Sequence, residues 1–190
     1  MHIVTLAGSP KAISKSSSLL GYVSQRLAAE AVHTQHFSLQ DLPVNALLAG
    51  DFKHPRIVAL QAAIEHADGL IIATPVYKAS FSGVLKTILD VLPQNALAHK
   101  TVLPLASGGS LAHLLALDYA LKPVLSALKA EEILSGVFAT DNQIQIHAEQ
   151  VALDADLRER LDHATAQFLH KLRCRRSDVS HSHEAPTYSA

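Results

Sequence analysis

A single cysteine, Cys174, occurs in the 190-residue chain, which excludes an internal disulfide framework and fits a reducing compartment. Charge of one sign is equally scarce. With 16 basic against 17 acidic residues, no basic stripe interleaves with aromatics, so no nucleic-acid partner is expected. The same balance supplies no strongly acidic docking face of the kind an electron carrier presents. No apolar run approaches the roughly 18 residues that span a bilayer, and no charged segment followed by an apolar one opens the chain. A cytoplasmic protein without a membrane partner is expected. Twelve histidines are present, yet none forms an HExxH-like pair on one helix face, so no metal site is expected.

Glycine is missing where the common nucleotide loops need it. Between the apolar run HIVTL and the next helical pattern only Gly8 occurs, whereas a Walker A loop or a dinucleotide fingerprint needs two or three spaced glycines. Serine takes their place. LAGSPKAISKSSSLL (6–20) brings Ser9, Ser14, Ser16, Ser17 and Ser18 together with Lys11 and Lys15. These donors gather where a new helix presents unpaired amides. A loop that grips through hydroxyls suits a terminal phosphate monoester and so a mononucleotide; a merely solvated, N-capped serine turn is the alternative.

Apolar runs and helical patterns then alternate. Strands are expected at 2–6, 33–39, 69–75, 100–106 and 133–139, with Pro104 awkward inside the fourth. Helices are expected near 18–30, 54–67, 82–92, 110–129 and 149–172. The alternation predicts an α/β, flavodoxin-like fold: a five-stranded parallel sheet in the order 2-1-3-4-5 with helices on both faces. One domain spans 1–172. The polar stretch 173–190 reads as a flexible tail. The loops SPKAISKSSS, PVYKASFSG and SGGS all emerge at the carboxyl edge around the switch point, where such folds bind ligands.

In the second of these loops Pro75 should stop the strand and leave Val76, Tyr77 and Lys78 as a shelf on which a flat aromatic ligand could rest; an ordinary connection carrying a surface tyrosine is the alternative. The pattern 110–129 is apolar nearly all round, with Asp118, Lys122 and Lys129 as its only charges, which calls for burial on both sides and hence a second subunit. Pro123 cannot donate to the carbonyl of Tyr119 and must kink this helix or widen it into a π-bulge.

The motifs GSPxxxSxSSxLL and TPVYKASFSGxLKTxLD, followed by VLPLASGGSLAHLLALDYALKPVLSALKAEEILSGVFA, resemble the NADPH-dependent FMN reductases of the flavodoxin-like superfamily. Within them the likeness is to reductases of alkanesulfonate monooxygenase two-component systems, over about residues 1–145. The resemblance implies an oxidoreductase that uses FMN and NADPH or NADH. It also implies that FMNH2 passes to a separate monooxygenase and that the protein is a homo-oligomer, a dimer or tetramer. By position, Ser9, Lys15, Ser16, Ser17 and Ser18 would hold the phosphate and Pro75, Val76, Tyr77 and Lys78 would meet the isoalloxazine. Ser107, Gly108, Gly109 and Ser110 would close the site. Tyr119 would lie in a π-bulge near the flavin and at the subunit contact. Lys11 stands where many members have arginine, giving a point charge without a bidentate fork. His113 would steer the nicotinamide or cap a helix. Hydride transfer between two cofactors needs no catalytic acid or base, in keeping with the lack of any Ser-His-Asp, Cys-His or paired-carboxylate set. A reductase that keeps its FMN and acts on quinones, azo compounds or metal ions, and a flavodoxin-type carrier, are the rival readings.

Overall fold

The structure, a computed structural model, describes residues 1–147 and 150–181, with side chains up to residue 177. Strand β1 (His2–Ala7) pairs in parallel with β2 (His33–Ser38) on one side and with β3 (Gly69–Tyr77) on the other. Strand β3 pairs in turn with β5 (Thr101–Gly108). At the far edge β5 is met by two short strands, β6 (Glu132–Ile133) and β7 (Val137–Thr140). The parallel order β2-β1-β3-β5-β6/β7 is the expected one with its fifth strand in two pieces.

The interruption has a cause in Pro104. It lacks the N–H that a neighbouring strand would use, and the ladder to the edge strand breaks opposite it, between Ile133 and Val137. Gly136 bridges the gap at φ +83°, where an added Cβ would stand 2.5 Å from the Pro104 carbonyl oxygen.

Alternation along the strands divides the core. Val4, Leu70, Ile72 and Val102 face one side, under α3 (Pro55–His66), α4 (Gly83–Asp90) and α5 (Lys122–Ala127). Ile3, Ile71, Leu103 and Leu105 face the other, under α1 (Lys15–Ala29) and α6 (Ala155–His181). Both faces of the central strands are covered, which is why β1, β3 and β5 read as apolar runs, whereas the edge strand β2 is polar and largely exposed. A short helix α2 (Val44–Ala49), not anticipated from the sequence, follows β2 and ends at Gly50 in the left-handed region.

Four expectations are corrected. Strand β3 does not stop at Pro75; it runs to Tyr77 and folds back antiparallel as β4 (Ser80–Phe81). The single helix 110–129 is instead a 3-10 turn at Leu111–His113, a π-helical segment at Leu117–Leu121, and α5. The stretch from 150, read as the start of the last helix, is instead strand β9 (Gln150–Leu153), paired antiparallel with β8 (Ile144–His147). Helix α6 begins only after it, where Asp154 Oδ1 accepts from the Leu157 amide at 2.7 Å.

The fourth correction concerns the tail. Helix α6 continues past Leu172 to His181 because charge takes over from apolar burial: Arg173 pairs with Glu30, Arg175 with Glu131 and Arg176 with Asp68. The rest of the expected tail, 182–190, lies outside the described residues. Among those described, no helix is long and apolar enough to cross a membrane, and no cluster of three or more His, Cys, Asp or Glu residues could hold a metal ion.

Two outcomes follow from these contacts. Replacing Gly136 by alanine adds both a strained φ and a clash with a backbone oxygen, and should destabilise by about 2–4 kcal/mol. Gly21→Ala, in a helix interior with nothing within 4 Å of the new Cβ, should stabilise by about 0.5–1 kcal/mol. Urea denaturation of both variants checks the pair. At the amino edge of the sheet, burial and the neighbouring His33, stacked at 5.1 Å, lower the pKa of His2 against the opposing pull of Asp68. A folded-state pKa below 6.5 means that the unfolded chain binds the proton first, so this contribution is complete above pH 6.5 and is lost as pH falls below it. Denaturation midpoints should decline from pH 7 to 5 less steeply in His2→Gln than in the parent chain.

Candidate active site

The loop after β1 is shaped by its backbone before any side chain acts. The Gly8 amide donates to the Ala73 carbonyl at 2.7 Å, and the Gly8 carbonyl accepts from Ser82 Oγ. An added Cβ on Gly8 would stand 2.7 Å from Leu85 Cβ, so only glycine lets the loop lie against α4. Ser82 N-caps α4 by accepting from the Leu85 amide at 3.1 Å, and its own amide donates to Thr74 Oγ1 at 3.0 Å. The first two site loops are thereby tied together at a residue that is 1% exposed.

From this anchor the chain turns through Pro10, whose carbonyl accepts from Gln40, to Ser14, the N-cap of α1. Ser14 Oγ accepts from the Ser17 amide at 3.1 Å and lies 3.2 Å from Ser16 Oγ and 2.7 Å from Ser17 Oγ. Among the described residues the amides of Lys15 and Ser16 have no acceptor, as the first amides of a helix do, and they stand at the positive end of its dipole, where an anion is favoured. Ser9 and Ser16 are buried beside them; Ser9 Oγ accepts from the Lys11 amide at 3.1 Å. Ser18 is placed differently. Its hydroxyl donates to the Ser14 carbonyl at 2.9 Å, so its proton serves the helix. The ammonium of Lys15 reaches across to Asp141, 2.8 Å from its carbonyl oxygen and 3.4 Å from Oδ1.

The shelf is a hairpin tip. Tyr77–Ser80 is a two-residue turn whose central residues, Lys78 and Ala79, have φ of 51° and 62°. Such type I′ turns favour Asn-Gly, and holding Lys-Ala there costs on the order of 1 kcal/mol or more per residue. Tyr77 is half exposed. Pro75 is in register with Ser107 on β5, so the third loop starts directly beside the shelf. Gly108 sits under it, 3.4 Å separating its would-be Cβ from Val76 Cβ, while Gly109 approaches Asp141. Ser110 caps the following 3-10 turn through the Ala112 amide; the cap is thus Ser110 and not His113.

In the π segment the Lys122 amide bonds the Leu117 carbonyl, one residue beyond α-helical spacing, immediately before Pro123. Asp118 pairs with Lys122 at 2.5 Å. Tyr119 is 79% exposed, and Leu111, Leu114 and Leu115 are exposed with it. The π segment packs beside β4, which puts it next to the shelf, whereas Leu111 and Leu114 line a cleft with Leu134, Val137 and Phe138.

Of the site residues expected from sequence, those of all three loops meet at one carboxyl edge. Ser82, Thr74 and Asp141 escaped notice, although Ser82 before GVLKTILD is an N-cap pattern that could have flagged it. The assembly brings hydroxyls and the amides of a helix start beside a hairpin ledge.

A family model for NADPH-dependent FMN reductases matches residues 1–145. The chain is 52% identical over 168 residues to an Escherichia coli (strain K12) FMN reductase (NADPH), covering 88% of each protein. Among solved structures, the apo form of an NADH:FMN oxidoreductase is similar at TM-score 0.79 and 39% identity, over 88% of this chain and 87% of that one. A Streptococcus pneumoniae flavodoxin shares the fold at TM-score 0.62 and 13% identity, over 90% of this chain and 98% of that one.

The Ser82 tie has a measurable consequence. Ser82→Ala removes the α4 cap and leaves the Gly8 carbonyl unpaired inside the protein, and should lower the unfolding free energy by about 2 kcal/mol. Chemical denaturation reads that loss directly.

Proposed function

The chain belongs to the NADPH-dependent FMN reductase family, and we propose that this NAD(P)H-dependent enzyme treats FMN as an exchanging substrate and delivers FMNH2 to a separate alkanesulfonate monooxygenase. The observation that carries the reading is the cradle itself: buried Ser9 and Ser16, with Ser14, Ser17 and the free amides of Lys15 and Ser16, at the N-terminus of α1. A dianionic phosphate monoester fits that donor set better than a pyrophosphate, for which glycine-lined backbone would be needed.

FMN, when bound, supplies the ring whose N5 accepts hydride from nicotinamide C4. The chain's part is alignment. Val76, Tyr77 and Lys78 form the ledge under the ring, fixed by the turn at Lys78 and Ala79. Ser107, Gly108, Gly109 and Ser110 would border the ring on the side of β5, where the two glycines would leave room for a second planar group. The exposed Leu111, Leu114, Leu115 and Tyr119 are covered by another copy of the chain, giving a homo-oligomer whose contact adjoins the flavin shelf. A reducing cytoplasm is the setting this proposal assigns.

The test compares flavins. Each charge-assisted bond to the phosphate contributes about 1.5–3 kcal/mol, so riboflavin should bind at least tenfold more weakly than FMN. The purified protein should be nearly colourless, and its NADPH oxidation should saturate with added FMN. Equal affinity for the two flavins would sink the phosphate site. A yellow protein whose turnover ignores added FMN would point to a resident flavin and to quinone or azo substrates.

A further inference from the structure

Asp141 is the one carboxylate that the site loops carry into this edge. No acidic residue occurs in the stretches 8–14, 78–82 or 109–116, and the nearby Asp118 is neutralised by Lys122. Asp141 is also held firmly from behind. Thr140 and Gln143 close a capping box around the turn it starts, and Arg160 bonds both the Phe138 carbonyl and Gln143 Oε1, at 2.9 and 3.2 Å. From that fixed position it engages Lys15, the first residue of α1, through its backbone carbonyl and its carboxylate together. Lys15 is the cation next to the two free amides. One ammonium therefore serves two negative groups: the Asp141 carboxylate, and a phosphate in the serine cradle.

We propose that Asp141 is a positioning residue that sets flavin exchange, by competing with the flavin phosphate for Lys15. The inference rests on the phosphate reading of the cradle. Lys15 is held by Asp141, which ties the start of α1 to the turn after β7. When a phosphate enters, Lys15 has to divide its interaction, and the fixed carboxylate repels the incoming dianion. The result is a cradle whose geometry is complete but whose grip is held below its maximum. An enzyme that must release its flavin in each cycle needs that property; one with a resident flavin does not.

Asp141→Asn keeps the backbone carbonyl and the side-chain shape while removing the charge. FMN and riboflavin dissociation constants are measured by quenching of flavin fluorescence, with FMN release rates from rapid dilution. Asp141→Asn should tighten FMN about three- to fivefold and slow its release in proportion, leaving riboflavin unchanged. Adding Lys15→Met should abolish the gain and weaken FMN below the parent protein. Unchanged FMN affinity in Asp141→Asn, or an equal gain for riboflavin, overturns the competition and leaves Asp141 as a staple between loops. If the parent protein binds both flavins equally and Lys15→Met has no effect, the phosphate reading itself fails, an outcome distinct from failure of the competition alone.

Discussion

Gly8 is held at both ends of its peptide geometry, its amide by the Ala73 carbonyl and its carbonyl by Ser82 Oγ, and the site is assembled outward from that knot. The Ser82 hydroxyl donates in one direction and accepts the Leu85 amide in the other, so one buried group closes the serine-rich loop and starts α4 at once. A buried hydroxyl with both roles filled costs nothing in unpaired polarity and leaves little freedom. Through Thr74, which receives the Ser82 amide and donates to the Pro75 carbonyl, the same knot fixes the strand that continues into the shelf. The distance from the serine loop to the hairpin ledge is thus set by backbone bonded across two loops, independently of any exposed side chain.

That rigidity explains what the chain tolerates nearby. A Lys-Ala pair in a turn that favours Asn-Gly is strained, yet both strands feeding the turn are anchored, β3 by its pairing with β5 as far as Ser107 and β4 by the capped start of α4 behind it. The π segment is a second irregularity held by its surroundings. Pro123 removes a donor, Lys122 bonds one residue further back, and Leu117 and Leu121 point into the core while Tyr119 is turned out. An irregular backbone places a large side chain where a regular helix would not, and here that side chain stands beside the ledge.

The parallel sheet, its order and the meeting of three loops at one edge were legible because the central strands β1, β3 and β5 are buried on both faces and read as apolar runs, while the exposed, polar β2 fits only an edge. What was misread depended on neighbours. Pro104 is awkward for a strand in isolation, but which flanking strand loses its partner, and that Gly136 must span the resulting gap, is decided by tertiary pairing. Pro75 looks like a stop, yet its place at the end of the shared register with β5 lets β3 continue and turn back. The β8–β9 hairpin has four residues a side and buries little besides Ile144, too short a pattern to outweigh the helical run after it. Arg173, Arg175 and Arg176 lengthen α6 through partners more than 40 positions away in the chain, a signal that composition does not carry.

The serine loop shows the same limit at the level of single atoms. Composition identifies a hydroxyl-rich loop at a helix start, but not which proton is free: Ser18 spends its own on the Ser14 carbonyl, and Ser14 holds the Ser17 amide. The groups left for a ligand are largely backbone, the Lys15 and Ser16 amides, which every sequence possesses and only a helix start exposes. Lysine 15 reads as one more donor in that loop until β7 is seen to end beside it with Asp141. On the proposed reading, selectivity for a phosphate would come from the helix start and the hydroxyls, while the strength of the grip would be set by an acid 126 positions downstream. These are separable quantities, because amide geometry is fixed by the fold whereas a half-exposed ion pair is a small free energy that one substitution can alter.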